Sequence, residues 1–235
     1  MKLIAHRSGP CSFPEQTIAS AREALALGAD LVEIDVRYTA DRQIAITHDQ
    51  NVSRVFGEDV HVCDLTAVQF RALRHASDAS FGSHLLEDYL RCGVAPLLIH
   101  IKETELIEDM MHLLARYDYL DRVVLGVQRV DSVQLIRSMN PHVCILSFGP
   151  SPEAVADFIA AGVDYVRLWE SWLTPDRVRR VKDSPAKLWV MSGAAEEGYP
   201  VGEPSPEGLR RIAACEPDGI LINNLRYAKQ VLNLG

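Results

Sequence analysis

Residues 31–36, with the sequence LVEIDV, predict a buried strand and mark the candidate site of this chain. Strand alternation sends its β-branched residues to one face and Glu33 and Asp35 to the other. Two carboxylates that face one confined space repel each other unless a cation lies between them, and Mg²⁺ or Ca²⁺ suits such oxygen ligands. The alternative is that both side chains point toward surrounding helices or pair with arginine. We favour a buried strand that carries a metal-binding pair.

Similar short apolar runs recur along the chain and alternate with segments of helical spacing. Near-continuous apolarity is typical of strands that are buried on both faces. The predicted strands are Lys2–Ala5, Leu31–Val36, Pro96–Ile101, Val123–Gly126, Val143–Leu146, Tyr165–Leu168, Lys187–Met191 and Gly219–Ile222.

Strands that alternate with helices imply parallel pairing through right-handed crossovers. The simplest closed arrangement is an α/β fold, the (β/α)8 TIM barrel, formed by residues 1–235 as one domain. A doubly wound open sheet is the alternative, but no G-x-G-x-x-G motif follows the first strand. The interval 37–95 is unusually long and contains another strand-like run, Gln43–Thr47. It predicts an insertion between strand 2 and helix 2 that covers the active face as a lid.

Composition limits the possible partners. The 24 basic and 32 acidic residues give a formal net charge of −8, which argues against nucleic acid but not against a small phosphate ester. No apolar run approaches the roughly 20 residues of a membrane span, and the N-terminal region lacks a signal peptide's apolar stretch. The five cysteines are scattered without a C-x-x-C pair. We therefore expect a cytoplasmic protein with reduced cysteines and no stable membrane insertion.

Polar side chains follow several predicted strands at the end where barrel enzymes place catalysis. His6 and Arg7 end the first strand, and His48 ends the run in the insertion. Histidine supplies acid and base near neutral pH, and the arginine fork suits phosphate oxygens. His100 and Lys102 share a face of the third strand. Each residue alone is more often structural, but beside a carboxylate pair the group predicts phosphate-ester chemistry.

Several motifs occur in an order that resembles the glycerophosphodiester phosphodiesterase family. They are Ala5-His6-Arg7, Pro14-Glu15-Gln16-Thr17, Gly28-Ala29-Asp30 through Val36, Thr39-Ala40-Asp41, His48-Asp49, Leu98–Lys102, Trp189 and Pro217–Ile220. The resemblance implies a barrel with an insertion after the second strand. It also implies hydrolysis of a small-molecule glycerophosphodiester to glycerol 3-phosphate and an alcohol, assisted by a divalent metal ion.

The resemblance also implies a role for each matching residue. Glu33 and Asp35 would bind the metal ion. His6 and His48 would act as general base and acid, while Arg7 and Lys102 would hold the phosphate. Glu15 would lie at the substrate site and orient His6, and Trp189 would line the glycerol side.

This chain departs from the family pattern at three places. His100 stands where a third metal-binding glutamate is expected. A site of Glu33, Asp35 and His100 should therefore hold Mg²⁺ or Ca²⁺ less well and favour Mn²⁺, Fe²⁺, Ni²⁺ or Zn²⁺. Glu170 is a candidate to replace the missing carboxylate, whereas alternation turns Glu103 away. The other departures are Gln16 for asparagine and Asn223-Asn224 for threonine–aspartate.

Two other functions remain open at this point. One is a phosphodiesterase that acts on lysophospholipids or other phosphodiesters, for which Val52, Val55, Phe56 and Val60 would form an apolar rim. The other is a catalytically impaired relative that binds phosphate because His100 weakens the metal site. Loss of hydrolysis with retained glycerophosphate binding would distinguish the second.

Overall fold

Eight parallel strands pair in sequence around a closed barrel, and the last strand pairs with the first. The computed structural model describes residues 1–234. A short antiparallel strand extends the sheet at β2. The strands are β1 (Lys2–Ala5), β2 (Leu31–Tyr38), β3 (Ile44–Ile46), β4 (Leu97–Ile101), β5 (Val123–Val127), β6 (Cys144–Ser147), β7 (Tyr165–Trp169), β8 (Lys187–Met191) and β9 (Gly219–Ile222). The expected (β/α)8 barrel is confirmed, and the predicted strands agree with these bounds to within two residues.

Most of the helices pack on the barrel, where they present an apolar stripe to the outer face of the strands. The helices are α1 (Ile18–Ala26), α2 (Ser53–Phe56), α3 (Ala67–Ala72), α4 (Leu86–Arg91), α5 (Ile107–Arg116), α6 (Val130–Met139), α7 (Val155–Ala160), α8 (Pro175–Lys182), α9 (Pro206–Ala214) and α10 (Leu225–Leu232). In α5, Ile107, Met110 and Leu114 recur at helical spacing and are fully buried. Across residues 1–234, none of the helices is both long and apolar enough to cross a bilayer.

Strand alternation divides the core into two parts. Residues such as Val32 and Ile34 pack outward against the helices. The barrel interior is filled by an apolar plug that comprises Ile4, Leu31, Leu98, Val124, Leu146, Phe148, Trp189, Met191 and Leu221. The plug leaves the carboxyl ends of the strands for polar side chains, which is where barrel enzymes bind substrate.

The segment between β2 and α4 folds on its own small core. β3 runs antiparallel to the end of β2, with Val36 opposite Ile46, and this pairing brings the following residues back over the barrel. Val52 and Phe56 lie in the segment's own apolar cluster and are 1% and 8% exposed. The expectation of an apolar rim is therefore wrong for these two residues, because their side chains stabilise the segment.

Candidate active site

Glu33 and Asp35 lie on the interior face of β2, and each is 1% exposed. The backbone amide of Arg7 donates to Glu33 Oε2 at 2.7 Å. Gln16 holds Asp35 at two points: its Nε2 donates to Asp35 Oδ2 at 2.8 Å, and its Oε1 accepts from the Asp35 amide at 3.1 Å. The two carboxylates thus face the barrel interior in fixed positions, as the alternation of β2 predicts.

His100 lies beside the carboxylate pair because β4 places it in register with Asp35. Its Nδ1 is 3.0 Å from Asp35 Oδ1 and 3.9 Å from Glu33 Oε1. On the other side, Gln128 Nε2 lies 2.9 Å from His100 Nε2, and the Phe148 ring stacks on the imidazole with centroids 3.9 Å apart. A Cβ on Gly126 would lie only 2.3 Å from that ring, so glycine is required for the stack.

The donor atoms of Glu33, Asp35 and His100 all lie within 4.8 Å of one another. Asp35 Oδ1 is buried and lacks a hydrogen bond of good geometry, although the Lys102 ammonium lies 2.8 Å away. Two carboxylates and one imidazole suit a divalent transition ion. These residues therefore fit a metal ion, provided that Lys102 moves from Asp35 to an anionic ligand.

Neither alternative carboxylate joins this cluster. Glu170 accepts from the Gly193 amide at 2.8 Å and from Arg211 at 2.7 Å. The suggestion that Glu170 replaces the missing glutamate is wrong, because its two oxygens fasten the loop after β8 to α9. Glu103 pairs with Arg37, which agrees with the predicted orientation away from His100.

Burial and mutual repulsion set the protonation of the carboxylate pair. Burial, reinforced by the charge of Asp35, raises the pKa of Glu33 to about 8. Burial also acts to raise the pKa of Asp35, but the charge of Lys102 and the close contact with His100 outweigh it and hold that pKa well below its usual value. A proton on Glu33 thus relieves the repulsion between the two carboxylates, as a bound cation would.

His6 has one ring nitrogen fixed and the other free. Its Nδ1 lies 2.7 Å from Asn223 Oδ1. The amide nitrogen of Asn223 is already directed to Val201 O and Glu203 Oε1, so the oxygen faces His6 as acceptor. His6 Nδ1 therefore donates, and Nε2 keeps its lone pair. Burial, followed by the charge of Arg7, lowers the pKa of His6 to about 4, which keeps the ring neutral at pH 7.

His48 lies at the edge of the inserted segment, with its side chain 32% exposed. Its Nδ1 is 2.7 Å from Asp49 Oδ1, and Arg54 Nε contacts the other oxygen of Asp49 at 2.5 Å. Arg54 also grips Glu15 with both terminal nitrogens, at 2.7 and 3.0 Å. Burial lowers the pKa of His48 despite the nearby carboxylates of Asp35 and Asp49.

The expected role of Glu15 in orienting His6 is wrong. Glu15 is engaged by Arg54 and lies 3.6 Å from Arg7, whereas Asn223 holds His6. Glu15 thus links Arg7 of the barrel to the inserted segment through Arg54. The motif of residues 14–17 marked Glu15 as a candidate site residue, but it did not indicate which side chain Glu15 contacts.

Three residues between β1 and α1, namely Arg7, Ser8 and Gln16, adopt left-handed backbone conformations that are unfavourable for residues with a side chain. Arg7 and Gln16 have φ values of 48° and 57°. The Gln16 amide donates to Arg7 O at 3.0 Å, while the Arg7 amide is aimed at Glu33. Strained non-glycine residues cluster at functional sites, where surrounding contacts hold them in place. Here the strain directs backbone and side-chain donors at both carboxylates.

The structure does not bring Trp189 to this group. Its side chain is fully buried in the plug, with its ring 4.4 Å from that of Tyr165 and against Gly219. The expectation that Trp189 lines the open site is wrong, because its position on β8 points into the apolar layer. Phe148 and Trp169 take the aromatic positions nearer the open end.

Six predicted residues do lie together at the carboxyl ends of the strands or on the segment above them: His6, Arg7, Glu33, Asp35, His100 and Lys102, with His48 at the edge. Asn223, Gln128, Arg54 and Arg167 were missed. The sequence signal for Arg167 was available, since a polar residue at an inward position of an apolar strand requires a partner. Asn223 directly follows β9, at the end of the strand where site residues gather. Gln128 and Arg54 had no such signal.

A parallel barrel with buried carboxylates, histidines and cations at one end is typical of a hydrolase that handles a phosphate ester. A sequence profile of the glycerophosphoryl diester phosphodiesterase family matches residues 6–183. The chain belongs to this family, and the resemblance noted in its motifs is confirmed.

Individual proteins are similar to this chain in sequence or in fold. The uncharacterized protein YqiK of Bacillus subtilis is 28% identical over 249 residues, which cover 98% of each chain. A glycerophosphodiester phosphodiesterase of Caldanaerobacter subterraneus is 28% identical over 158 residues, or 61% of this chain and 64% of its own length. The Oleispira antarctica phosphodiesterase, solved with its product sn-glycerol-3-phosphate, shares the fold at a TM-score of 0.82 and 16% identity, covering 99% of this chain and 97% of that one.

Proposed function

We propose that this protein is a divalent-metal-dependent hydrolase that converts glycerophosphodiesters to glycerol 3-phosphate and an alcohol. The observation that carries the proposal is the close approach of the Glu33, Asp35 and His100 donor atoms, within 4.8 Å, at the carboxyl end of the barrel. Family membership supports the reaction class. The product bound to the Oleispira antarctica relative supports glycerol 3-phosphate as the product here.

Glu33, Asp35 and His100 would hold the metal ion. When bound, such an ion polarises a phosphoryl oxygen and stabilises the charge that builds up on phosphorus. Lys102 would then turn from Asp35 to the substrate phosphate. Arg7 offers a second cation, with a buried Nε that has no hydrogen-bond partner within residues 1–234. The two side chains neutralise the phosphate as the bond breaks.

We assign His6 as general base and His48 as general acid. His6 is neutral and presents a free Nε2, because Nδ1 donates to Asn223. It accepts the proton of the attacking oxygen. His48 is the more exposed ring, and Asp49 on its Nδ1 stabilises the protonated form. His48 gives its proton to the leaving alkoxide and recovers one from solvent.

Two attacking groups are compatible with this arrangement, namely water and the glycerol hydroxyl next to the phosphate. Attack by the hydroxyl forms a cyclic phosphate first. A substrate analogue that lacks this hydroxyl separates the two routes, because only attack by water would survive its removal.

The segment 37–95 supplies His48, Asp49 and Arg54, so we also propose that it covers the substrate as a lid. The five cysteines are unpaired, which supports the proposal of a reducing, cytoplasmic location. The buried positions of Val52 and Phe56 argue against the lipid rim that a lysophospholipid substrate would need.

The test begins with protein stripped of metal by a chelator. Release of glycerol 3-phosphate from glycerophosphodiesters is measured while Mg²⁺, Ca²⁺, Mn²⁺, Ni²⁺ or Zn²⁺ is added singly. We expect one or more ions to restore release, and Glu33→Ala to abolish it. Activity that persists without any ion, or in Glu33→Ala, would overturn metal dependence; binding of glycerol phosphate without turnover would favour the impaired relative.

A further inference from the structure

Arg167 is a buried cation without an anion. It is 4% exposed, and its Nε and Nη1 are buried with no hydrogen-bond partner among residues 1–234. Within the same part of the chain, no carboxylate forms an ion pair with it. Buried charges in proteins are almost always paired, because an isolated one loses its hydration without compensation. The position therefore requires an explanation that the proposed chemistry of His6, Lys102 and the carboxylates does not give.

Arg167 points into the barrel on the side opposite the carboxylate pair. It lies on β7 at an inward position, in register with Trp189 of the plug. In the closed order of eight strands, β7 lies opposite β2, which carries Glu33 and Asp35. Its guanidinium Cζ lies 5.3 Å from the centroid of Phe148, the ring that stacks on His100. Arg167 thus stands across the barrel from the carboxylate pair, with an aromatic ring between it and the metal-type cluster.

Aromatic rings surround the rest of the guanidinium. Its Cζ lies 4.2 Å from the ring centroid of Trp169 and 5.4 Å from that of Trp172. Such a set of rings could hold a quaternary ammonium by cation–π attraction, but Arg167 already occupies their faces. Its charge would also repel a cationic head group. These surroundings of Arg167 contain no negative charge among residues 1–234.

We infer that Arg167, with Phe148, Trp169 and Trp172 as its wall, is a second anion subsite that selects glycerophosphodiesters whose alcohol carries a carboxylate. The inference rests on the proposed hydrolysis of glycerophosphodiesters. Arg7 and Lys102 lie beside the carboxylate pair and serve the single charge of the diester. Arg167 lies on the opposite side, where the alcohol of a substrate that spans the barrel end would reach. A carboxylate there would accept a charge-assisted hydrogen bond from the guanidinium, whose charge no carboxylate of residues 1–234 balances.

The test compares two substrates that differ in one carboxylate, glycerophosphoserine and glycerophosphoethanolamine. A hydrogen bond to a charged group in a buried site corresponds to about a 10- to 100-fold effect. We expect the protein to prefer the serine diester by about that factor in kcat/KM, mainly through KM. Arg167→Met should remove the preference, because kcat/KM for the serine diester should fall to that for the ethanolamine diester. Arg167→Lys should keep part of the preference.

Equal kcat/KM values for the two diesters in the unaltered protein would overturn the inference. So would an equal loss for both in Arg167→Met. Removal of an unpaired buried charge should also raise the Tm of Arg167→Met, which separates a binding role from a structural one. Should Arg167→Met fail to fold, Arg167→Gln provides the same comparison.

A binding measurement distinguishes failure of the subsite from failure of the proposed reaction. The protein with His6→Ala and His48→Ala is titrated with each diester by calorimetry, with and without Arg167→Met. About 10-fold tighter binding of the serine diester, lost with Arg167→Met, would support the subsite even if the unaltered protein hydrolysed neither compound. Equal affinity, or no binding of either diester, would overturn it.

Discussion

The hydrogen bond between Asn223 and His6 offers the sharpest test of the proposed base. Asn223→Ala removes the side-chain oxygen that lies 2.7 Å from His6 Nδ1. This oxygen accepts the hydrogen bond that keeps the proton on Nδ1. A net hydrogen bond corresponds to about 1 kcal/mol, or roughly a 5-fold preference for the productive tautomer. Loss of ring orientation adds to this effect. We therefore expect kcat to fall by about 10-fold, with KM nearly unchanged, because no phosphate contact is removed.

Asn223→Asp tests the same contact through pH. A carboxylate still accepts from Nδ1 but stabilises the imidazolium, so it should raise the pKa of His6 above its present value of about 4. A base must be unprotonated, so activity should be lost at the acid side of the profile. We expect the acid limb of kcat/KM to move up by roughly one pH unit, with activity retained at pH 8.

Asn224 provides the matched control. Its side chain accepts from the Tyr227 amide at the start of α10 and makes no contact with His6. Asn224→Ala should cost about 1 kcal/mol of unfolding free energy as a lost helix cap, with kcat unchanged. Unaltered kcat in Asn223→Ala, or equal losses in both alanine variants, would refute the assignment of His6 Nε2 as the base.

Three further predictions concern the carboxylates and the inserted segment. In metal-free protein, Glu33 binds a proton in the folded state up to a pKa of about 8 but has an ordinary value of 4.5 when unfolded, so its stabilising contribution is lost as pH rises. The lowered pKa values of the buried histidines act in the opposite direction only below about pH 6.5. Tm measured in chelator should therefore fall between about pH 6.5 and 8, and a fall that persists in Glu33→Gln would contradict this cause. His100→Glu should raise Mg²⁺ affinity by roughly 10-fold or more at the expense of Ni²⁺ and Zn²⁺, as measured by calorimetry; an unchanged ion order would show that His100 does not contact the metal. Arg54→Ala should lower kcat by about 5-fold by freeing Asp49, while costing under about 1 kcal/mol of stability because Arg54 is half exposed; Arg71→Ala, which breaks a similarly exposed pair with Asp88, should leave kcat unchanged.

The barrel and the carboxylate pair could be predicted from the sequence because both depend on local periodicity. A strand such as β2 has a period of two whatever surrounds it, so Glu33 and Asp35 had to share a face. The same argument placed His100 and Lys102 together on β4. The expectation of a cation between the two carboxylates also follows from their charge alone. These features predicted a candidate ligand pair and the end of the barrel at which it lies, whereas the family was recognised from the order of the motifs.

The partners of individual side chains could not be predicted, because they come from strands and loops that are distant in sequence. Asn223 reaches His6 only because β9 pairs with β1 and closes the barrel. Glu15 forms an ion pair with Arg54 of the inserted segment, and Trp189 packs in the plug because of its height in the barrel. The neighbours of Arg167 likewise come from packing between elements that are not adjacent along the chain. Periodicity therefore determined which face each residue occupies, whereas closure of the barrel decided which groups meet across it.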